Sequence, residues 1–191
     1  MPEAEMWTFN RLPSGGGSST RIRQLGLNFG APGDRYGENK TLWLDYPSIG
    51  GRSPSVSVSV EGAQVSYFRK HASMIEGEAL TWVAASGVSG IEKLTVRLAK
   101  NATEKQSYTV RLYFAEFDGV KKGERLFNVS LQSKLVLENF DIAAAAGGTN
   151  RSVVTEFKGV TVKDALQLDI TCPAEQKEKA ILSGIEIIAE G

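Results

Sequence analysis

The sequence predicts an all-β protein built as an antiparallel β-sandwich, and three observations support this fold class. Apolar and polar side chains alternate with a period of two through most of the chain, which is typical of strands with one buried face. Gly, Pro, Asn and Asp residues interrupt the alternation at short intervals, as turns between strands do. Helical periodicity is scarce. Alternation rather than continuous apolar runs favours antiparallel sheets with one face in water.

The strands can be assigned in chain order from this alternation. The clearest stripe places Tyr108, Val110, Leu112 and Phe114 on one face of a strand. Strands are predicted at residues 7–9, 21–29, 42–44, 56–60, 64–68, 94–98, 108–114, 127–131, 135–137, 153–157, 166–170 and 181–188.

Two short helical turns are predicted between the strands. One covers 73–80, with Ser73 and Glu76 as a capping pair, and the other covers 140–146, which two following glycines would end.

The length of 191 residues suits one domain. Residues 1–20 are predicted to hold a short N-terminal strand and a Gly-rich connector, and residues 21–191 to form the β-sandwich domain. The stretch 30–55 is rich in Gly, Pro, Asp and aromatic residues, so we expect a loop system that caps the sandwich or carries function.

Composition argues against several classes of function. The 22 basic residues balance 22 acidic ones, so neither nucleic acid nor a membrane is expected as a partner. No apolar stretch approaches the roughly 20 residues that span a bilayer, and residues 1–5 do not resemble a signal peptide. The one histidine, His71, precludes a multi-histidine zinc site. The one cysteine, Cys172, precludes an internal disulfide and is expected to pack as a small apolar side chain.

No catalytic residue is predicted. A Ser-His-Asp triad would need His71, which is expected to be a structural residue at a strand end. A glycoside hydrolase remains as an alternative because paired carboxylates can cleave glycosidic bonds. The carboxylates considered for that role are Glu116, Asp118, Asp34 and Asp45.

No cofactor is expected. The metal considered is calcium, for which Asp34, Glu38 and Asp45 would supply oxygen ligands, although no compact calcium-loop spacing is present.

Aromatic residues near the predicted loops favour a carbohydrate site. Sugars place their C–H faces on aromatic rings, and their hydroxyls need a few precisely placed polar groups. For each ring, packing against the sandwich is the alternative role. The aromatic candidates are Tyr36, Trp43, Tyr46, Tyr67 and Phe117.

Three blocks of sequence resemble the signature of malectin and malectin-like domains. They read YTVRLYFAE at 108–116, GERLFNVSLQ at 123–132 and LVLENFDI at 135–142. LGLNFG at 25–30 and ILSGIEI at 181–187 are similar to the first and last strands of that family. The resemblance covers roughly residues 21–191.

This resemblance implies a jelly-roll sandwich of the galactose-binding-like sort and a non-catalytic module that binds oligosaccharide through aromatic and acidic loop residues. It implies site roles for Tyr36 and Tyr67. The aromatic pair that the family carries after Phe-Ala-Glu falls here on Asp118 and Gly119, and the acidic position before the last strand is matched by Glu175. Asp118 and Glu175 therefore complete the candidate ligand-binding residues.

A narrower resemblance is carried by NFGAPGDR at 28–35, LWLDYPSIGG at 42–51 and WVAASG at 82–87. These segments are similar to a bacterial malectin-like module found at the end of larger secreted proteins with β-propeller repeats. The resemblance implies an accessory domain in a secreted or periplasmic protein. It also implies an alternative function, in which the domain docks onto its own parent protein.

Overall fold

A computed structural model of the chain describes residues 11–13, 20–48, 50, 54–117, 119–174 and 178–191. The first strands are β1 (Arg11–Pro13), β2 (Thr20–Ile22), β3 (Gln24–Phe29), β4 (Arg35–Tyr36), β5 (Leu42–Tyr46), β6 (Val58–Glu61), β7 (Ser66–Arg69), β8 (Glu76–Gly77) and β9 (Ser86–Ser89). The later strands are β10 (Lys93–Arg97), β11 (Gln106–Ala115), β12 (Leu126–Leu131), β13 (Lys134–Asp141), β14 (Arg151–Val162), β15 (Ala165–Thr171), β16 (Ile181–Leu182) and β17 (Gly184–Ala189). The helices are α1 (Thr81–Ala84) and α2 (Ile142–Ala146), with a 3-10 turn at Ala72–Met74.

Two sheets form the sandwich, which confirms the predicted fold class. The larger sheet has seven strands in the order β4-β5-β3-β17-β11-β14-β8, and the smaller has five in the order β13-β12-β15-β10-β6. A three-stranded sheet, β16-β9-β7, and the pair β1-β2 complete the described strands. Most pairs are antiparallel as predicted, but β3 pairs with β5 and β14 pairs with β8 in parallel.

The core lies between the inner faces of the two sheets. The apolar stripe of β11 is fully buried, and the stripes of β10, β12 and β15 face it from the other sheet. Phe114, Phe127 and Phe140 meet here with ring centroids 5.0–5.9 Å apart. The period of two therefore places one apolar set inside, as the sequence predicts.

A second apolar layer covers the outer face of the seven-stranded sheet. Trp43 on β5 and Tyr113 on β11 point away from the main core, because their sequence neighbours point into it. Residues 72–85 pack on these rings, with Val83 and Ala84 of α1 fully buried among them. This layer holds α1 against the sheet and thereby positions Trp82.

One predicted helical turn is confirmed and the other is wrong. Helix α2 begins after Asp141, whose side chain accepts a hydrogen bond from the Ala144 N–H, and ends at Gly147 in the left-handed conformation. Residues 73–80 do not form the helix that was predicted. His71 caps the 3-10 turn instead, and the following helix begins only at Thr81.

Two further expectations are affected by the placement of their residues. Cys172 lies just beyond the end of β15 and is exposed, so the prediction that it packs as a small apolar side chain is wrong. The predicted strand at 7–9 and most of the Gly-rich connector lie outside the described residues. Within the described part of the chain, no helix has the length and apolarity needed to cross a membrane.

Candidate functional site

A cavity of about 420 Å³ opens beside α1, between the loop after β3 and the end of β7. We call it the Trp82 cleft. Its side chains come from β3, the 32–35 segment, β7, α1 and β9, so distant parts of the sequence converge there. The polar and aromatic residues that line it are Asn28, Asp34, Arg35, Arg69, Lys70, Trp82 and Ser86.

The Trp82 ring is held in place from two directions. Its ring packs edge-on against Trp43, with centroids 5.6 Å apart and planes at 82°. The Arg35 guanidinium carbon lies 4.7 Å from the Trp82 ring centroid, at the distance of a cation–π contact. The cleft therefore presents an aromatic group whose orientation is set before any ligand arrives.

Hydrogen bonds also hold the polar side chains of the cleft. Asn28 Oδ1 accepts from Ser86 Oγ at 3.0 Å, and Arg69 Nε donates to the Gly30 carbonyl at 3.0 Å. Asp34 Oδ1 accepts from the Asp45 N–H at 3.0 Å, while Asp34 Oδ2 is buried without a hydrogen-bond partner. A buried carboxylate oxygen without a partner carries a desolvation cost, so it favours an incoming donor.

A second cavity, of about 330 Å³, lies across β7 from the Trp82 cleft. We call it the Phe117 cavity. Phe68 and Phe117 line it with ring centroids 5.4 Å apart in edge contact. Lys70 lines both cavities, so the two are neighbours.

A buried ion pair supports the Phe117 cavity. Arg125 Nε donates to Glu116 Oε2 at 2.9 Å, and Glu116 Oε1 accepts from the Phe117 N–H at 3.0 Å. Arg125 also donates to the Lys179 carbonyl and lies 3.6 Å from the Glu178 carboxylate. Burial raises the pKa of Glu116 above its ordinary value, although Arg125 opposes the shift. The pair links the segment after β11 to the segment before β16.

Comparison with known proteins identifies a family for the second half of the chain. Residues 95–188 match the family model described as the malectin domain. The chain contains a malectin domain. This stretch includes all three sequence blocks that carry the resemblance.

Relatives of the malectin domain occur in much longer proteins. A probable receptor-like protein kinase of Arabidopsis thaliana is 33% identical over 84 residues, which are 42% of this chain and 10% of that protein. The chain thus matches only about a tenth of this curated relative. The proposed bacterial origin of the module is not supported by this plant relative, and it remains a prediction.

Solved structures share the fold at low identity. The ANX2 ectodomain from Arabidopsis thaliana gives a TM-score of 0.64 at 15% identity, covering 90% of this chain and 50% of that one. The FER chain solved with the plant peptide RALF23 and LLG2 gives 0.63 at 18% identity, covering 90% and 49%. The Bacteroides uniformis β-glucuronidase gives 0.64 at 15% identity, covering 88% and 18%. At these identities the likeness shows the fold.

The sequence-predicted aromatic residues fall into two groups in the structure. Tyr36 is 53% exposed beside Arg35, and Tyr67 is 37% exposed on β7. Tyr46 packs edge-on between Phe29 and Tyr67, with centroid distances of 6.0 and 6.2 Å. None of these three rings lines the Trp82 cleft, and Tyr46 instead lines a separate cavity together with Leu44 and Val58.

Two predicted aromatic contacts have a different role. Trp43 is 1% exposed and lies under α1, so the prediction that its ring contacts ligand is wrong. It acts indirectly, as the support of Trp82. Phe117 lines its cavity but is buried against Phe68, so it forms part of the base. Asp118 and Glu175 lie outside the described residues.

The carboxylates considered for glycoside cleavage or calcium binding do not form a shared site among the described residues. Glu116 is fully buried and paired with Arg125, so it cannot reach a substrate as placed. Asp34 meets Asp45 through the backbone N–H of Asp45. Within the described ranges, no three His, Cys, Asp or Glu side chains are grouped to hold a metal ion.

Sequence reasoning missed several side chains that the fold gathers in the cleft. Trp82 lies in a segment that carries the narrower resemblance, but it was not proposed as a ligand contact. A tryptophan followed by the small residues Ala84 and Ala85 in a short helix was the available signal. The contributions of Asn28, Arg69 and Ser86 carried no such signal, because their proximity depends on the packing of three separate strands.

Proposed function

We propose that this malectin domain is a non-catalytic module that binds oligosaccharide at the Trp82 cleft. The observation that carries the proposal is the fixed Trp82 ring, which stands among hydrogen-bonding side chains from several elements. An aromatic surface can receive the C–H face of a sugar, while convergent polar groups select its hydroxyls.

The polar groups of the cleft suit a ligand that both donates and accepts hydrogen bonds. Asp34 Oδ2 can accept from a sugar hydroxyl, since it is a buried acceptor without a partner. Arg35 and Arg69 supply guanidinium donors, and an arginine carries five of them. A hydroxyl provides both functions on one atom, so an oligosaccharide matches this mixture.

The absence of catalysis is part of the proposal. Glycoside hydrolysis needs two carboxyl groups placed on either side of the bond that is cleaved. Glu116 is engaged by Arg125 and is fully buried, which supports a structural role for this carboxylate. If the wild type hydrolysed a bound glycan and Glu116→Gln did not, the proposal that the module is non-catalytic would be contradicted.

Replacement of Trp82 tests the proposed site. We expect wild-type protein to bind members of a glucan array with about 4–7 kcal/mol of binding free energy, as weak modules do. Trp82→Ala should weaken this binding about tenfold or more, and Trp82→Phe should weaken it less because it keeps a ring. Isothermal calorimetry measures both effects, with unfolding curves to show that the variants fold.

Leu135→Ala is the matched control, since Leu135 is an exposed apolar side chain on β13 of the other sheet. It should bind as the wild type does. No glycan binding by the wild type at millimolar sugar, or equal affinity in a folded Trp82→Ala variant, would sink the proposal.

A second candidate function is docking onto another domain or protein. The observation that favours it is the exposure of two large apolar side chains, Tyr36 at 53% and Met74 at 55%, on segments next to the cleft. The related FER structure is described as a complex with a peptide and a partner protein. Loss of association with the parent protein in a Tyr36→Ser/Met74→Ser variant, with glycan binding unchanged, would favour docking.

A secreted or periplasmic location is proposed with either function. Structural relatives are ectodomains of plant receptor kinases, which supports a location outside the cytoplasm. Cell fractionation of the full-length protein tests this expectation, and recovery in the cytoplasm would contradict it.

A further inference from the structure

A buried carboxylate lies outside the lining of the Trp82 cleft but beside the hairpin that contributes to it. Glu186 on β17 is 1% exposed. Its side chain lies on the outer face of the seven-stranded sheet, because Ile185 and Ile187 point into the core. A buried carboxylate needs hydrogen-bond donors, since removing it from water is costly. The donors that reach Glu186 therefore show which parts of the fold it joins.

One carboxylate oxygen of Glu186 binds the turn at residues 37–41, which joins β4 to β5. Glu186 Oε1 accepts hydrogen bonds from Asn39 Nδ2 at 2.7 Å and from Thr41 Oγ1 at 2.5 Å. The turn is closed by the Gly37 N–H, which donates to the Thr41 carbonyl at 2.8 Å. Gln24 Nε2 on β3 also donates to Thr41 Oγ1, at 2.6 Å. The turn is thus attached to the sheet by side chains.

The other carboxylate oxygen of Glu186 binds β11. Glu186 Oε2 accepts from Arg111 Nη1 at 3.1 Å and from Tyr113 Oη at 3.2 Å. Burial raises the pKa of Tyr113 and the Glu186 carboxylate raises it further, so the phenol keeps its proton and donates it. Glu186 therefore joins the turn to the centre of the sheet, with one oxygen for each.

The hairpin that Glu186 holds carries a residue of the candidate site. Arg35 on β4 is directly opposite Trp43 on β5, and its guanidinium carbon lies 4.7 Å from the Trp82 ring centroid. Arg35 is exposed, so its position depends on the backbone that carries it. Among the described strands β4 is an edge strand of the sheet, and it pairs with β5 over only two residues. The contacts of the turn with Glu186 supply support that this short pairing lacks.

We propose that Glu186 is a positioning residue for the Trp82 cleft, holding the β4–β5 hairpin so that Arg35 stays over the Trp82 ring. This inference rests on the proposed carbohydrate function and adds what sets the geometry of that site. Glu186 does not line the cleft and acts on the ligand only through Arg35.

A double-mutant cycle between Glu186 and Arg35 tests this role. Isothermal calorimetry measures the binding of cellotetraose and maltotetraose to wild type, Glu186→Gln, Arg35→Gln and the double variant. We expect each single change to weaken sugar binding about threefold or more. The double variant should bind more tightly than the product of the two single effects implies, because Glu186 acts through Arg35. A loss of general stability alone would not produce this coupling, and urea unfolding shows that each variant is folded.

Thr41→Val is the milder second variant, because it keeps the branched shape and removes only the hydroxyl that binds Glu186. It should weaken sugar binding in the same direction and by less. Amide hydrogen exchange gives a readout that needs no sugar. The N–H groups of Gly37 and Lys40, which are bonded within the turn, should exchange about fivefold faster or more in Glu186→Gln. The Val110 N–H at the centre of the sheet should be unchanged.

Glu190→Gln is the matched control, because Glu190 follows the same strand but binds β11 and β14. Its Oε1 accepts from Thr109 Oγ1 at 2.8 Å and from the Gly159 N–H at 2.9 Å. This variant should keep wild-type sugar affinity and wild-type exchange in the turn. Full sugar affinity in a folded Glu186→Gln variant, or independent effects of Glu186→Gln and Arg35→Gln, would overturn the positioning role while the carbohydrate function stands. If the wild type binds no sugar, both proposals fail.

Discussion

At the scale of single residues, the charged pair Glu116–Arg125 has an energetic importance that its sequence context does not reveal. Glu116 is fully buried and Arg125 nearly so. Removing one partner of such a pair leaves a charge in a medium of low polarity, which costs more than the intact pair contributes. The pair also receives the Phe117 N–H and binds the Lys179 carbonyl, so its loss releases two segments beside the Phe117 cavity.

Replacing the partners singly and together tests this role. Glu116→Leu and Arg125→Met, each made alone, should lower the free energy of unfolding by about 3–5 kcal/mol, because the remaining side chain loses its buried partner. The double variant Glu116→Leu/Arg125→Met should lower the free energy of unfolding by less than either single replacement does. Urea unfolding measures the cycle, and strictly additive effects would contradict the coupling.

At the scale of elements, strands β3, β5 and β17 are shaped around one tryptophan. A Cβ at Gly26 of β3 would lie 2.2 Å from the Trp43 ring, and a Cβ at Gly184 of β17 would lie 2.6 Å from Val83 Cγ1 and 3.1 Å from the Trp43 ring. Tyr113 packs edge-on against the same ring at 5.1 Å. These glycines serve a close approach between a ring and a sheet. Trp43 in turn packs against Trp82, so the packing around Trp43 helps to position the candidate site.

Gly26→Ala is expected to destabilise the protein by about 1–3 kcal/mol, because the added methyl group overpacks the Trp43 ring. The same change should cost less in a Trp43→Leu background, where the ring carbons nearest the methyl group are absent. Guanidinium unfolding of the four proteins measures the coupling. An equal cost of Gly26→Ala in both backgrounds would show that Trp43 is not the cause.

At the scale of the whole molecule, burial of Glu116 links stability to pH. Its ordinary pKa is 4.5, and burial raises the pKa in the folded protein. Between these two values the folded protein binds more protons than the unfolded chain. The contribution of Glu116 to stability is therefore greatest at low pH, and it falls as the pH rises through the raised pKa.

As the pH rises from about 4.5, we expect the free energy of unfolding of the wild type to fall relative to that of Glu116→Gln. The glutamine variant lacks this titration and shows no corresponding slope. Thermal or urea unfolding over this range measures the difference. Glu138→Gln, which removes an exposed carboxylate, is the control. A slope of opposite sign for Glu116→Gln would contradict the raised pKa.

Much of the fold was accessible from local pattern. The stripe at Tyr108, Val110, Leu112 and Phe114 predicts β11 and its buried face, because alternation is decided by neighbours in sequence. The short strand β9 was missed, since Ser86–Ser89 is too short and too small to show a stripe. Yet β9 is the central strand of the three-stranded sheet, and its Ser86 lines the Trp82 cleft.

The candidate site was accessible only in part. The resemblance marks Tyr36 and Tyr67, and both side chains are exposed, but neither lines the Trp82 cleft. The ligand contact predicted for Trp43 was wrong because strand alternation does not indicate whether other residues cover the outer face of a sheet. Residues 72–85 cover that face, and this packing buries Trp43 while it presents Trp82.

The sequence by itself determined the all-β class, most strand positions and the malectin resemblance, because all three depend on residue type and short-range order. Only the tertiary structure decided which aromatic ring lines the cleft and which carboxylate is buried. These properties arise where segments far apart in the chain pack together. Local periodicity carries no information about which of these distant segments pack together.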